Sequence, residues 1–204
     1  MPRYLLFLAI VALISACGSG SDSSSGTVTS LVDSTITEHD LALLREEEKL
    51  ARDVYLTLFD TWGLNIFLNI SGAEQRHTDQ VLTRLEALGL ADPVVSDAIG
   101  VFTEPAFTVL FNDLVTQGNI SETDALIVGA TIEDLDIRDI QEMTTRTTDP
   151  TTLSMYASLE CGSRNHMRSF YSALLSRGVT YRAQFITDAE LSRIVSTPTE
   201  RCGR

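Results

Sequence analysis

Basic residues are scarce in this sequence. Its 15 lysines and arginines are outnumbered by 28 aspartates and glutamates, giving a formal net charge of −13 over 204 residues. The sequence has no basic stretch of the kind that binds phosphate backbones, so we exclude nucleic acid as a partner. The acidic residues are spread along the chain, and 44% of all residues are hydrophobic, enough for the core of one domain. Most of the acidity therefore serves solubility, although part of it can belong to a binding site.

Long hydrophobic runs are also missing, except at the N-terminus. Tyr4–Ile14 is an apolar run of eleven residues that follows Arg3; it is too short to cross a bilayer and is typical of a signal peptide. It leads into Ile14-Ser15-Ala16-Cys17, which resembles the cleavage box of bacterial lipoproteins. We therefore expect residues 1–16 to be a signal peptide and Cys17 to be lipidated. A plain secretory signal with an incidental cysteine is the alternative.

The residues that follow cannot bury surface. Residues 17–37 begin with a Gly/Ser/Asp-rich stretch and are predicted to form a flexible tether. Gly18 stands where an aspartate would signal retention in the inner membrane. The sequence therefore predicts an exported protein of the cell envelope, anchored to a membrane through the lipid on Cys17, with the outer membrane favoured.

Cysteine is rare, with three residues in the chain. If Cys17 carries lipid, Cys161 and Cys202 remain, in an exported protein where disulfides persist. A bridge between them would close a loop of about forty residues, worth roughly 3–4 kcal/mol in the chain-entropy model. Two free thiols are the alternative, because sequence cannot supply the geometry.

Strand signals are weak, no internal repeat is visible, and helical periodicity covers most of the chain. The first long helix is expected to begin at a capping box, Thr37 with Asp40. Four long helices are predicted over about residues 38–61, 66–88, 122–145 and 150–176, and short ones over 104–115 and 187–195. This pattern indicates an all-α four-helix bundle with one long crossover between its second and third helices. The bundle would span residues 38–178, followed by a C-terminal extension, 179–204.

The core-facing positions of the four long helices share one feature. Stepping along each helix by three and four gives positions that are apolar at both ends and polar in the middle. No lysine or arginine is among them. The polar positions are Glu48 on the first helix, Glu74 and His77 on the second, Glu133 and Asp136 on the third, and Ser163 and His166 on the fourth. Buried unpaired carboxylates cost several kcal/mol each, so something must compensate them.

Two divalent cations would neutralise these four carboxylates, with the two imidazoles as neutral ligands. Carboxylate and imidazole together suit iron, manganese or zinc. The alternative for any one pair, such as Glu74 and His77, is a polar core group satisfied without metal. Glu46 and Glu47 lie off the core-facing positions, so we expect them to be solvated. The predicted metal ligands are Glu48, Glu74, His77, Glu133, Asp136 and His166.

The same residues resemble a known group. Glu48 with Tyr55 seven residues later is similar to the first-helix motif of ferritins and rubrerythrins, and the stretch EQRH at 74–77 to their second-helix ExxH motif. Glu133 resembles the third-helix glutamate, and Asp136 an additional carboxylate of rubrerythrins. Over about residues 41–170 the chain resembles a bacterial and archaeal ferritin-like family of unknown function. The stretches that carry this resemblance are LREEEKLARDVY, SGAEQRH, VGATIEDLDIRD and GSRNH.

The resemblance implies a ferritin-like fold and a carboxylate-bridged centre of two metal ions, iron favoured, that oxidises Fe(II) or reduces oxygen or peroxide. The chain departs from the usual pattern at Ser163, where the fourth-helix ExxH motif has its glutamate. The result would be an open coordination position or a weak second metal. Tyr55 is a weak catalytic candidate, as a partner for a ligand or a one-electron donor; a core tyrosine with a satisfied hydroxyl is the alternative.

Several functions remain open on sequence alone. No CxxC pair is present for a rubredoxin-like iron, so a two-domain peroxidase of the rubrerythrin type is not supported. Non-enzymatic metal binding or storage, or a structural envelope lipoprotein, is the alternative to an enzyme. A metal-free partner-binding lipoprotein is a third reading. The oligomeric state, including a homodimer, stays open.

Overall fold

The computed structural model describes the backbone of residues 25–203 and side chains from residue 36 onward; within this range the chain forms six helices and no strand. The helices are α1 (Ser25–Trp62), α2 (Asn65–Ala87), α3 (Pro105–Gly118), α4 (Glu122–Thr144), α5 (Pro150–Leu175) and α6 (Asp188–Val195). The all-α prediction is confirmed. The predicted signal peptide and Cys17 lie outside the described residues.

The first helix starts earlier than expected. It begins at Ser25, so residues 25–37 of the predicted tether are helical. Thr37 lies inside α1, and its hydroxyl donates to Thr147 at 3.4 Å instead of capping a helix. The capping-box prediction at Thr37 is therefore wrong. Serine and threonine favoured a turn there, but apolar residues at positions 28, 31, 32 and 36 recur at helical spacing.

The other long helices begin and end close to where the sequence predicts. Ser121 caps α4 by accepting a hydrogen bond from the amide of Asp124 at 3.1 Å. Asp149 caps α5 in the same way, accepting from the amide of Thr152 at 2.7 Å. Gly63 ends α1 with a φ of 65°, a left-handed conformation that glycine adopts without strain. These local signals explain why sequence alone placed the helix ends within a few residues.

The long helices pack in two pairs, α1 on α2 and α4 on α5, and the two pairs face each other. The larger apolar cluster contains Tyr55, Phe67 and Phe170, whose ring centroids are 5.4 to 6.0 Å apart. A smaller cluster around Leu44 and Tyr156 lies at the other end. The polar core positions fall between the two clusters along each helix, so apolar layers cover the site from both ends.

The chain after α5 belongs to the same core. Tyr181, Ile186 and the apolar side of α6 are buried in the larger cluster. Asp134 on α4 is fully buried and accepts hydrogen bonds from the hydroxyl of Tyr181 and the amide of Ile186, both at 2.8 Å. Residues 179–195 are therefore packed onto the bundle. None of the helices in the described part of the chain has the length and apolarity needed to cross a membrane.

Candidate metal centre

The middle of the bundle holds the polar residues that the sequence predicts as ligands. We call the six of them the acid–histidine cluster, and each is at least nine-tenths buried. α1 and α5 each contribute one member, and α2 and α4 contribute two each, spaced by three residues so that they share one helix face. The members are Glu48 of α1, Glu74 and His77 of α2, Glu133 and Asp136 of α4, and His166 of α5.

Glu74 joins the two histidines. One of its carboxylate oxygens, Oε2, lies 2.8 Å from Nδ1 of His77, and the other, Oε1, lies 2.8 Å from Nδ1 of His166. On the His77 side, a carboxylate oxygen of Glu48 lies 3.2 Å from Nδ1 of His77. On the His166 side, a carboxylate oxygen of Glu133 lies 3.4 Å from Nδ1 of His166. Each side thus has two carboxylates and one imidazole, whose ligand atoms lie within 4.8 Å of one another. The arrangement is two three-residue groups that share one carboxylate.

Several buried atoms of the cluster have no hydrogen-bond partner. They are Glu48 Oε1, Glu74 Oε1, Asp136 Oδ1 and His166 Nδ1. Two of these atoms lie close together: Nδ1 of His166 and Oε1 of Glu74 are 2.8 Å apart but lack hydrogen-bond geometry. Unsatisfied buried polar atoms are costly and rare in native proteins. Oxygen and nitrogen atoms that converge without bonding each other fit the donor set of a divalent cation.

Asp136 stands apart from both three-residue groups. It is buried beside Glu48 and Glu133, and Ser163 of α5 donates a hydrogen bond to its Oδ2. The same hydroxyl lies 3.1 Å from the carbonyl oxygen of Leu159. Ser163 therefore does face the site, where it takes up one oxygen of Asp136 and leaves the other without a partner.

Tyr55 is attached to the cluster through Glu133. Its fully buried hydroxyl donates to Oε1 of Glu133 at 2.5 Å and lies 3.3 Å from the carbonyl oxygen of Gly129. The tyrosine thus fixes the carboxylate on the α4 side and leaves Oε2 directed at His166. Tyr55 is therefore both a core tyrosine whose hydroxyl is hydrogen-bonded and a neighbour of the acid–histidine cluster.

Sequence reasoning missed Gly162. A Cβ at this position would lie 2.5 Å from Nε2 of His77, so glycine lets the α5 backbone approach the imidazole ring. The available signal was a glycine inside a long helix, which costs about 1 kcal/mol relative to alanine and calls for a packing reason.

The expectation that Glu46 and Glu47 are solvated is wrong, since both are buried. Glu46 accepts hydrogen bonds from the amides of Thr103 at 2.5 Å and Glu104 at 2.9 Å, which attaches the crossover to α1 where α3 begins. Glu47 contacts Asp139 of α4; burial, and then the nearby charge of Asp139, raise the pKa of Glu47 well above its usual range. The crossover covers the side of α1 that the sequence assigns to solvent.

The cationic residues of α1 are occupied elsewhere. Lys49 is fully buried, 2.5 Å from Asp53, with its ammonium 4.6 Å from the ring centroid of Phe102. Arg52 pairs with Asp53 at 2.8 Å and with Asp97 of the crossover at 2.7 Å. Within the described residues, the ion pairs of the cluster involve only its own histidines.

The two imidazoles are therefore the cluster's counter-charges. Burial alone would raise the pKa of Glu74, but His166 and His77 reverse this and hold it below the ordinary value. Burial raises the pKa of Glu48 to about 7 against the pull of His77. Burial opposes protonation of His166, yet Glu74 and Glu133 raise its pKa to about 10. Without a cation, protons on the two histidines and on carboxyls whose pKa burial raises reduce the negative charge of the cluster, and a bound cation would displace them.

Comparison with known proteins gives one family. The family described as "Uncharacterized protein domain (DUF2202)" matches residues 38–198, a range that includes every residue of the cluster. The uncharacterised protein MJ0754 of Methanocaldococcus jannaschii is 48% identical over 177 residues, 85% of this chain and 96% of that protein. The crystal structure of hypothetical protein MJ0754 from Methanococcus jannaschii has a TM-score of 0.79 and 44% identity, covering 91% of this chain and 100% of the other. The chain belongs to the DUF2202 family.

Proposed function

We propose that this protein is an envelope-anchored, ferritin-like metalloprotein whose acid–histidine cluster holds two divalent metal ions, iron favoured over manganese or zinc. The metal pair would serve to oxidise Fe(II) or to reduce oxygen or peroxide. The observation that carries the proposal is the position of Glu74, whose two oxygens face two histidines from two different helices. A single carboxylate shared between two ligand groups is the arrangement of a bridged metal pair.

The topology supports the ferritin-like part of the proposal. Four long helices enclose the cluster, and the one long crossover runs between α2 and α4 and carries α3. Inward-facing glutamates and ExxH motifs on such helices are how this class of bundle holds its metals. Fold alone does not give function, so the proposal rests on the cluster.

Each member has a role that follows from its contacts. Glu48 and His77 would hold one ion, Glu133 and His166 the other, and Glu74 would bridge them. Asp136 would supply the fourth negative charge, so that four carboxylates balance two divalent ions. When bound, the metal pair supplies the transfer of electrons, which no side chain of the cluster provides.

The chain's own residues orient the ligands and exclude water. Tyr55 fixes Glu133, Ser163 holds Asp136, and the bare backbone of Gly162 lies against His77. Such outer contacts hold ligand side chains in one orientation. His166 is the sole predicted ligand on α5, because Ser163 stands in place of a second carboxylate.

Metal content tests the proposal. Protein purified without chelator, or loaded with Fe(II) under argon, should contain about two metal ions per chain by mass spectrometry. Glu74→Gln should lose both ions, whereas Glu86→Gln, an exposed glutamate on the same helix, should lose none. The loaded protein should then consume oxygen or peroxide. Full metal occupancy without turnover would favour storage or a structural role, and no metal in the wild type under either condition would contradict the proposal.

A further inference from the structure

The C-terminus is bonded covalently to the wall of the candidate metal centre. Cys161 of α5 and Cys202 form a disulfide, with an S–S distance of 2.01 Å. Both cysteines line an open cleft of about 640 Å³, together with Gln80 of α2 and the arginines 164 and 201. Cys161 is nearly buried, whereas Cys202 is partly exposed. Solvent therefore reaches the disulfide from the side of Cys202.

Polar contacts hold the rest of the C-terminal segment, residues 196–203, on the same part of α5. The carboxylate of Glu200 accepts hydrogen bonds from Arg164 and Arg168, both at 2.7 Å. The side-chain amide of Asn165 donates to the carbonyl oxygen of Glu200 at 3.1 Å and lies 3.2 Å from Sγ of Cys202. These contacts are partly exposed, so each stabilises the segment only modestly. The disulfide is the one covalent attachment of the segment to α5.

That part of α5 is also the wall against which His77 lies. Gly162 follows Cys161 directly, and its backbone is so close to Nε2 of His77 that a Cβ would not fit. Gln80, one turn after His77 on α2, lines the same cleft as the disulfide. The disulfide therefore lies one residue from the position of α5 that covers one histidine of the cluster.

We infer that Cys161–Cys202 is a thiol–disulfide exchange site for a dithiol reductant, and that its reduction frees the C-terminal segment from α5. A thiolate of the donor attacks the accessible Sγ of Cys202, and the bond to Cys161 breaks with Cys161 leaving as a thiolate. The second thiolate of the donor then attacks the donor sulfur of the mixed disulfide and releases Cys202 as a thiolate. The donor becomes a disulfide, the protein gains two electrons as two thiolates, and these thiolates take up protons from solvent.

The surroundings favour release of Cys202. The side-chain amide of Asn165 lies 3.2 Å from its Sγ, where it can donate a hydrogen bond to the thiolate. The inference concerns the metal-free chain and does not depend on the proposed metal chemistry.

The test uses the full chain treated with chelator. Dithiothreitol in native buffer should add two maleimide-reactive thiols per chain to those of the untreated protein, while the far-ultraviolet dichroism stays unchanged. Hydrogen exchange in residues 196–203 should then accelerate by about tenfold or more. Cys202→Ser should behave like the reduced wild type and should not respond to dithiothreitol.

Two results would overturn the inference. The first is that thiols appear only when denaturant unfolds the chain. The second is that full reduction leaves the hydrogen exchange of residues 196–203 unchanged. Should Cys202→Ser fail to fold, the reduced wild type alone decides between these outcomes.

Discussion

Replacing Glu48 by glutamine should remove metal from the cluster and yet stabilise the metal-free protein. Burial, opposed by His77 and reinforced by Glu74, raises the pKa of Glu48 from 4.5 to about 7. One pH unit corresponds to about 1.4 kcal/mol, so ionising Glu48 costs the folded chain on the order of 3 kcal/mol. A neutral isostere avoids that cost but also lacks a negative ligand atom.

The stabilisation expected for Glu48→Gln depends on pH. The folded chain binds this proton more tightly than the unfolded chain, so wild-type stability falls as the pH rises from 4.5 to about 7 and the loss is constant above. Glu48→Gln lacks this loss. Its gain in the free energy of unfolding should therefore be near zero at pH 4.5 and reach on the order of 3 kcal/mol at pH 8.

Glu46 is the matched control, two positions away on the same helix. Its carboxylate accepts hydrogen bonds from the amides of Thr103 and Glu104, and none of the hydrogen bonds and ion pairs of the described residues joins it to a member of the cluster. Glu46→Gln weakens two charge-assisted bonds, so it should lower stability by about 2 kcal/mol. For a chain of this size the melting temperature should fall by about 4 to 8 °C. Metal content should stay at the wild-type level.

Two measurements on both variants decide the matter: urea unfolding of chelator-treated protein at pH 5 and pH 8, and bound metal per chain at pH 8. Retention of metal by Glu48→Gln would refute the ligand assignment. A loss of stability in that variant that is larger at pH 8 than at pH 5 would refute the electrostatic argument. Equal metal loss in both variants would show that metal binding does not depend on the inward direction that distinguishes Glu48 from Glu46.

Three further predictions follow from single contacts. Gly162→Ala adds a Cβ 2.5 Å from Nε2 of His77, so it should lower metal content while circular dichroism shows unchanged helix; wild-type metal content would contradict the close approach. Apparent metal affinity should rise with pH, because a proton with a pKa of about 10 must leave His166, and titrations at pH 6 and pH 8 would reveal a flat profile if this were wrong. Cys17→Ser should abolish palmitate labelling and release the protein from membranes, whereas an unlabelled wild type would end the lipoprotein prediction.

The inward direction of the cluster could be predicted from sequence because helical periodicity carries it. Glu74 and His77 lie three residues apart between apolar positions, and a step of three or four returns to the same helix face. The same reasoning on the other three helices located the polar middle layer without any knowledge of how the helices pack. Whether metal occupies that layer is a separate question, which periodicity does not address.

What covers the other side of a helix could not be predicted in this way. The sequence predicts that Glu46 and Glu47 face solvent, because charged residues normally mark an exposed surface. In the structure the crossover lies over that face, and each charge has a partner there or on α4. Amphipathic patterning cannot recognise a buried face whose charges are paired, since its only signal is the polarity of each residue.

The three consecutive glutamates of α1 connect the fold to the site. Because successive residues rotate by about 100° around a helix, Glu46, Glu47 and Glu48 meet three different environments: the amides of the crossover, the carboxylate of Asp139 and the imidazole of His77. Rotating α1 by one residue would break all three contacts together. The three contacts together therefore fix the rotation of α1, and with it the direction of Glu48. A ligand on a helix fixed in this way is oriented before any cation binds, which is what a site with preorganised ligands requires.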